Sequence, residues 1–222
     1  MKSRNAMERS RILIVDDHPP LREALAARIG RQSDLQVCGE AADLAEALRL
    51  VASVRPDVVV VDITLKDGNG IELVKRLKSR DDRVRVLVWS MHAESLYAER
   101  ALRAGALGYI TKDQETNLII EAIRRVRDGK TWLSETMNQR LLLRNLGQDR
   151  QGRSPVDMLA DRELEVFRLI GEGMKTSEIA TRLHLSVKTV ETYRDRIRQK
   201  LEISDGTKLA HFATQWVMQQ SN

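Results

Sequence analysis

Acidic side chains, a serine, a threonine and a lysine follow short apolar runs in the first half of the chain, each where a run ends. Carboxylates that lie close together repel one another unless a cation joins them, and an all-oxygen site of this kind suits Mg²⁺. A carboxylate can act as the nucleophile of phosphoryl transfer, while an ammonium and a hydroxyl bind the phosphoryl oxygens. The residues that predict this chemistry are Asp16, Asp17, Asp62, Ser90, Thr111 and Lys112.

The apolar runs alternate with stretches of helical spacing, which predicts five strand–helix units within residues 11–129. This pattern is typical of a doubly wound α/β fold with a parallel sheet, whose ligands bind at the carboxyl ends of the strands. An isolated aspartate at a strand end is more often a loop or cap residue, but chance agreement of all these positions with one fold is improbable. The predicted strands are Ile12–Val15, Leu35–Ala41, Val58–Val61, Val86–Trp89 and Leu107–Ile110.

Four motifs around these residues resemble response-regulator receiver domains (flavodoxin-like) over about residues 11–129. They are Val15-Asp16-Asp17-His18-Pro19, Val61-Asp62-Ile63-Thr64, Trp89-Ser90 and Tyr109-Ile110-Thr111-Lys112. The resemblance implies that Asp62 accepts a phosphoryl group from a phosphohistidine on a sensor histidine kinase. It also implies that Asp17, Asp62 and the backbone carbonyl of Thr64 hold Mg²⁺ directly, with Asp16 acting largely through water.

The same resemblance implies a switch formed by Ser90 and Tyr109. Ser90 moves to bond the acyl phosphate, and Tyr109 swings inward to fill the vacated space. Thr64 and His92 flank the path of the attacking water in this family, so they are expected to tune dephosphorylation. That both side chains simply face solvent is an equally good interpretation.

The second half of the chain predicts helices only. One further helix is predicted over Thr131–Arg144, followed by a polar linker with glycine and proline at residues 145–156. In segment 186–200 five cations and two anions accompany a buried stripe. Charge and pattern alone fit two interpretations equally well: a helix-turn-helix that binds nucleic acid, and an ordinary amphipathic core helix with a solvated face. The last four predicted helices are Asp161–Gly171, Thr176–His184, Ser186–Leu201 and Asp205–Met218.

Residues 158–220 resemble the LuxR-type DNA-binding domain, through Leu159–Val166, Glu178–Leu183, Ser186–Tyr193 and Lys200-Leu201. With the receiver motifs, the chain resembles a NarL/FixJ-family two-component response regulator. This implies a dimer that forms on phosphorylation, binds paired half-sites in double-stranded DNA and regulates transcription. The implied DNA-binding residues are Lys188, Thr189, Glu191, Thr192, Asp195, Arg196 and Lys200. On the last helix, packing within its own domain is the default for Leu209, Phe212 and Trp216, and pairing of two domains on DNA is the additional role the family implies.

Composition limits the other classes. The 222 residues carry 37 basic and 32 acidic side chains, a small excess compatible with a local nucleic-acid surface. The lone Cys38 excludes a disulfide framework, and no apolar run is long enough for a membrane span or a signal peptide, so a cytoplasmic protein is expected. The expected domains are a receiver at 10–129, a helix plus flexible linker at 130–157 and a DNA-binding domain at 158–222.

Two other functions stay open from the residues alone. A metal-dependent phosphohydrolase would need a second acid–base residue near Asp62, and the sequence offers none that we can identify. A regulator that works without phosphorylation would not need the acidic residues or Lys112. We therefore expect a regulator that is not an enzyme.

Overall fold

A computed structural model describes residues 9–66, 68–115, 117–146 and 154–220, which divide into two units at residues 147 and 148. The described residues of the first unit form the strands β1 (Ser10–Val15), β2 (Leu35–Ala41), β3 (Val58–Val61), β4 (Thr64–Leu65), β5 (Gly68–Asn69), β6 (Arg85–Ser90) and β7 (Gly108–Thr111). Its helices are α1 (Pro19–Gly30), α2 (Leu44–Val54), α3 (Gly70–Arg80), α4 (Glu94–Ala104), α5 (Leu118–Arg127) and α6 (Glu135–Asn145).

Five parallel strands form one sheet in the order β2-β1-β3-β6-β7, while β4 and β5 form a separate antiparallel pair. All four valines of β3 are at most 1% exposed, as expected for a strand covered by helices on both faces. Val15 and Val88 lie opposite Val61 on the two sides of β3. Neighbouring strands therefore end level with one another, and the predicted doubly wound α/β fold is confirmed.

Local capping sets where several helices begin. The Asp43 carboxylate accepts the Glu46 N–H at 2.7 Å before α2, and the Asn69 side chain accepts the Ile71 N–H at 2.8 Å before α3. These bonds satisfy amide groups that the first turn of a helix leaves without a partner. Among the described residues, every helix is too short or too polar to cross a membrane.

The prediction of a helix from Thr131 was wrong about its start. Ser134 is the N-cap and accepts the Met137 N–H at 3.1 Å, so α6 begins at Glu135. Trp132 instead forms a parallel bridge with Gly108 at the edge of β7. The predicted linker lies mostly in residues 147–153, outside the described residues, and the three predicted domain boundaries stay a prediction.

The second unit is helical. It contains a short 3₁₀ helix (Pro155–Met158), α7 (Asp161–Gly171), α8 (Thr176–Arg182), α9 (Val187–Lys200) and α10 (Gly206–Gln220). Phe167 of α7 is fully buried, with its ring centroid 5.8 Å from Phe212 and 5.4 Å from Trp216 of α10. The confirmed helical architecture therefore has an aromatic core between α7 and α10, and α9 packs on α7 beside it.

Gly70 provides a test of how the fold positions Asp62. Its N–H donates to the Ile63 carbonyl at 2.7 Å, and a Cβ at this position would overlap the backbone carbonyl of Asp62. We expect Gly70→Ala to reduce the free energy of unfolding by about 1–3 kcal/mol, because the backbone carrying Asp62 must shift. Urea unfolding at neutral pH measures this change.

Gly30→Ala is the matched control for that substitution. Nothing lies within 4 Å of a Cβ at Gly30, which is also helical, so stability is expected to stay the same or to rise slightly. Equal stability of the Gly70→Ala variant and the unaltered chain would contradict the close approach.

Candidate functional site

The carboxyl ends of β1, β3 and β7 bring three of the predicted residues into direct contact. Lys112 Nζ lies 2.6 Å from Asp16 Oδ2 and 2.6 Å from Asp62 Oδ2. The Lys112 and Asp16 side chains are 1% exposed and that of Asp62 is 5% exposed. Because burying a carboxylate is costly unless it is paired, the shared ammonium is what lets the two acids lie together in the interior.

Asp17 and His18 form the more open side of this site. Asp17 Oδ1 lies 2.9 Å from His18 Nδ1, and the His18 N–H donates to Asp16 Oδ1 at 2.9 Å. One possible ligand atom from each of Asp16, Asp17, His18 and Asp62 lies within 4.8 Å of the others. The three carboxylates converge as the sequence predicts. The sequence analysis did not include His18 among the possible metal ligands, although its position directly after Asp17 suggested that its side chain would lie near this site.

The two oxygens of Asp62 have different environments. Oδ2 accepts from Lys112, whereas Oδ1 is buried with no hydrogen-bond partner among the residues that the structure describes. A buried carboxylate oxygen normally needs a donor, a water or a cation. The orphaned oxygen and the surrounding carboxylates therefore fit a hard divalent cation such as Mg²⁺, which prefers oxygen ligands.

Burial dominates the acid–base chemistry of the site. It raises the pKa of the Asp62 carboxyl, and the Asp16 charge acts in the same direction, while Lys112 lowers this pKa. Burial also raises the pKa of the Tyr109 hydroxyl well above its ordinary value. Tyr109 therefore stays a neutral hydrogen-bond donor over the physiological pH range.

Of the two predicted switch residues, Ser90 ends β6 and Tyr109 lies within β7. Ser90 and Tyr109 are each 1% exposed, so Tyr109 occupies the inward position in this structure. The Tyr109 hydroxyl donates to the His92 carbonyl at 2.8 Å, and the His92 N–H donates to Ser90 Oγ at 3.4 Å. The backbone of His92, in the loop that follows β6, is therefore hydrogen-bonded to both predicted switch residues.

Thr64 and His92 contact each other instead of facing solvent separately. Thr64 Oγ1 lies 3.0 Å from His92 Nε2, and the His92 ring stacks on Tyr97 with centroids 4.8 Å apart. A second contact missed from the sequence places Lys112 Nζ 5.0 Å from the ring centroid of Trp89, a cation–π distance. Neither partner can be inferred from chain spacing, because each contact joins different strands or loops.

The second unit positions the predicted recognition helix α9. Ser186 caps it by accepting the Thr189 N–H at 3.0 Å, and Val190 and Ile197 are fully buried. His184, in the preceding turn, has a φ of 53°, a left-handed conformation that allows the chain to turn tightly. Of the seven predicted DNA-binding residues, Thr189 is half-buried and the other six are exposed. The exposed ones are Lys188, Glu191, Thr192, Asp195, Arg196 and Lys200.

The charged residues of α9 are not equivalent. Lys200 Nζ lies 2.6 Å from Oε2 of Glu163, a residue only 4% exposed, and Arg198 lies 2.6 Å from Asp195. The Glu163 carboxylate also accepts the Ala160 N–H at 2.7 Å at the start of α7. Glu163 thus ties α7 to the end of α9, a positioning role that the sequence analysis did not assign.

The residues predicted for dimerisation lie on the α10 side of the aromatic core. Leu209 is fully buried and Trp216 is 8% exposed, so both pack within their own unit. Phe212 is partly exposed. The structure thus supports the default packing role, and pairing of two domains through α10 stays a prediction that depends chiefly on Phe212.

Two protein families match the chain. Residues 12–124 match the response regulator receiver domain, and residues 157–213 match the bacterial regulatory proteins of the luxR family. DevR/DosR of Mycobacterium tuberculosis, a DNA-binding transcriptional activator, is 35% identical over 92% of this chain and 94% of its own length. The transcriptional regulatory protein LiaR of Bacillus subtilis is 35% identical over 91% of this chain and 96% of its own.

A solved structure gives the same fold. RcsB from Salmonella enterica serovar Typhimurium, bound to the rprA promoter in the presence of the phosphomimetic BeF₃⁻, has a TM-score of 0.62 to this chain. The match covers 93% of this chain and 99% of RcsB at 21% sequence identity. At that identity the likeness concerns the architecture alone.

The environment of Asp62 predicts how its carboxyl titrates. In metal-free protein we expect the Asp62 carboxyl to titrate with a midpoint above 3.8. The midpoint should be still higher in Lys112→Gln, because this variant loses the cation that lowers the pKa of Asp62 and keeps the burial that raises it. Carbon-13 NMR of the side-chain carboxyls in EDTA measures both. Asp34 is the internal control: Arg124 and Arg127 hold its pKa at about 2, and the variant should not move it. An Asp62 midpoint unaltered by the substitution would contradict the interpretation.

Proposed function

Because the chain belongs to the response regulators that join a receiver domain to a LuxR-type DNA-binding domain, we propose that Asp62 accepts a phosphoryl group from a sensor histidine kinase. The P–N bond of the kinase phosphohistidine breaks as an Asp62 oxygen bonds to phosphorus, and an acyl phosphate results. The observation that carries the proposal is Asp62 Oδ1, buried without a hydrogen-bond partner among the described residues, beside Lys112 on the other oxygen.

Receiver domains bind Mg²⁺ at an acidic pocket, and Asp16, Asp17 and Asp62 form such a pocket here. We propose that Asp17, Asp62 and the Thr64 backbone carbonyl hold the ion directly and that Asp16 acts through water. When bound, Mg²⁺ neutralises the charge that develops on the transferring phosphoryl group. Lys112 supplies a second positive charge at the same place and donates to a phosphoryl oxygen.

The hydroxyl residues carry the phosphorylation signal in this proposal. Ser90 Oγ moves from the His92 N–H to bond the acyl phosphate, and the inward Tyr109 fills the space beside it. The hydrogen bond between Thr64 and His92 supports a role for both in tuning dephosphorylation, because it restrains two side chains next to the path of the attacking water.

The phosphorylation step is tested by Asp62→Asn. We expect labelling by acetyl phosphate in the presence of Mg²⁺ to fall from one phosphoryl group per chain to none, because an amide cannot form the acyl phosphate. Intact-mass spectrometry measures the label. Asp113→Asn, an exposed acid next to Lys112, is the control and should label fully. Full labelling of the Asp62 variant would reject the assigned acceptor.

For the second unit we propose sequence-specific binding of double-stranded DNA through α9. The support is the exposed polar face of a capped, well-packed helix that follows a tight turn. In this proposal Glu191, Thr192 and Asp195 read base edges, because carboxylates can accept from cytosine N4 and threonine can contact either an edge or a thymine methyl. Lys188, Arg196 and Lys200 supply phosphate contacts, with Lys200 shared with Glu163.

We further propose that phosphorylated chains bind paired half-sites as homodimers and regulate transcription in the cytoplasm. The relatives are transcription regulators, which favours this over a phosphohydrolase built on the same sheet. Multiple turnover of a small phosphoester by the purified chain would instead support the hydrolase.

Lys188→Gln tests whether α9 contacts DNA phosphates. We expect weaker binding to all duplexes and a slope of log affinity against log salt that is smaller by about 1, since one phosphate contact is lost. Fluorescence anisotropy with a selected and a scrambled duplex, over a salt series, measures both. Lys208→Gln makes the same charge change on an exposed residue of α10 and should leave the slope alone. An unaltered slope in Lys188→Gln would argue against the contact.

A further inference from the structure

The segment after α5 stays on the first unit and completes an edge of its sheet. Trp132 forms a parallel bridge with Gly108 of β7. The Trp132 carbonyl accepts the Tyr109 N–H at 2.9 Å, and the Trp132 N–H donates to the Leu107 carbonyl at 3.2 Å. The chain that leads toward the DNA-binding unit is therefore bonded to the backbone of the switch residue Tyr109.

Helix α6 then lies along α4 and is held at three points. Glu94 Oε1, in the first turn of α4, accepts the Ser134 N–H at 2.8 Å. Arg140 donates to the carbonyl of Ser95, the next residue of α4, at 3.3 Å, and about one turn further along both helices Arg144 forms an ion pair with Glu99. The Arg144 and Glu99 side chains are each 23% exposed, which shields the pair from solvent more than a typical surface pair.

Helix α4 starts directly after the short loop that follows Ser90 and carries His92. Tyr109 contacts this loop through its hydroxyl, which donates to the His92 carbonyl, and contacts the α6 segment through its N–H, which donates to Trp132. The loop after β6 is therefore connected to the α6 segment through two sets of contacts, one at Tyr109 and the other at Glu94. Packed elements of this kind transmit a local change because they shift as units.

We propose that α6 is the output element of the first unit, and that Glu94, Glu99 and Arg144 are positioning residues that couple phosphorylation to DNA binding. The proposal rests on the function proposed above. Tyr109 is inward in the same structure in which α6 is seated on α4, so we assign the seated helix to the inward arrangement that the proposed switch gives to the phosphorylated form. Loss of the α4–α6 contacts weakens the phosphorylated form relative to the unphosphorylated one.

Glu99 offers a matched pair of substitutions, because it also pairs with Arg103 on its own helix. Arg144→Gln breaks the pair between α6 and α4, whereas Arg103→Gln removes the other arginine that pairs with this carboxylate, a more exposed one on α4 itself, and leaves α6 seated. The measured quantity is the ratio of DNA affinities with and without acetyl phosphate and Mg²⁺. The probe is a duplex selected from a random library by the phosphorylated, unaltered full chain.

We expect the ratio to fall about three-fold in Arg144→Gln, as for the loss of one partly shielded ion pair, and to stay the same in Arg103→Gln. Glu94→Ala, which removes the acceptor of the Ser134 N–H, should lower it as well. Labelling of Asp62 should stay at one group per chain in all three variants, so a lower ratio reports coupling and not loss of the acceptor.

The outcomes separate the two proposals. If acetyl phosphate neither labels the unaltered chain nor changes its DNA affinity, the proposed function fails. If acetyl phosphate raises the DNA affinity of the unaltered chain, and raises that of Arg144→Gln and of Glu94→Ala by the same factor, only the output role of α6 is overturned. A higher affinity of unphosphorylated Arg144→Gln, equal to that of the phosphorylated chain, would also overturn it, because α6 would then restrain the inactive form.

Discussion

The ammonium of Lys112 between the carboxylates of Asp16 and Asp62 is the interaction on which the first unit depends. Two buried negative charges from β1 and β3 would repel each other strongly in a medium of low dielectric constant. A single cation from β7 pairs with both at 2.6 Å. The Lys112 side chain therefore spans the end of β6, which lies between β3 and β7, to reach both carboxylates, so the sheet order and the identities of these residues depend on each other.

Much of this arrangement could be predicted from the sequence, for a physical reason. Leu35–Ala41 and Val58–Val61 are strands at the predicted residues, because short apolar runs between helical stretches have few other ways to be buried. Once the fold is a parallel sheet, the residues after each run must share one edge. The proximity of Asp16, Asp62 and Lys112 could therefore be predicted from the fold class alone.

The contacts that escaped prediction join parts of the chain through tertiary structure. Residues 131–134 are too short a run to predict a strand although Thr131 and Trp132 are strand-favouring residue types, and Trp132 pairs with β7 because that edge offers it hydrogen bonds. The number of basic residues in α9 likewise does not show which of them pair with other residues of the second unit. Lys200 is drawn to the buried Glu163, a partner that sequence spacing does not reveal.

The bridge at Trp132 bears on where the first unit can be cut from the rest of the chain. An open sheet has bare edges, and an exposed edge strand is a template for unwanted pairing between molecules. Trp132 covers part of the β7 edge, so a fragment ending at residue 129 would uncover it and invite aggregation. A fragment that runs through residue 146 keeps both that cover and α6, and is the better choice for studying the isolated unit.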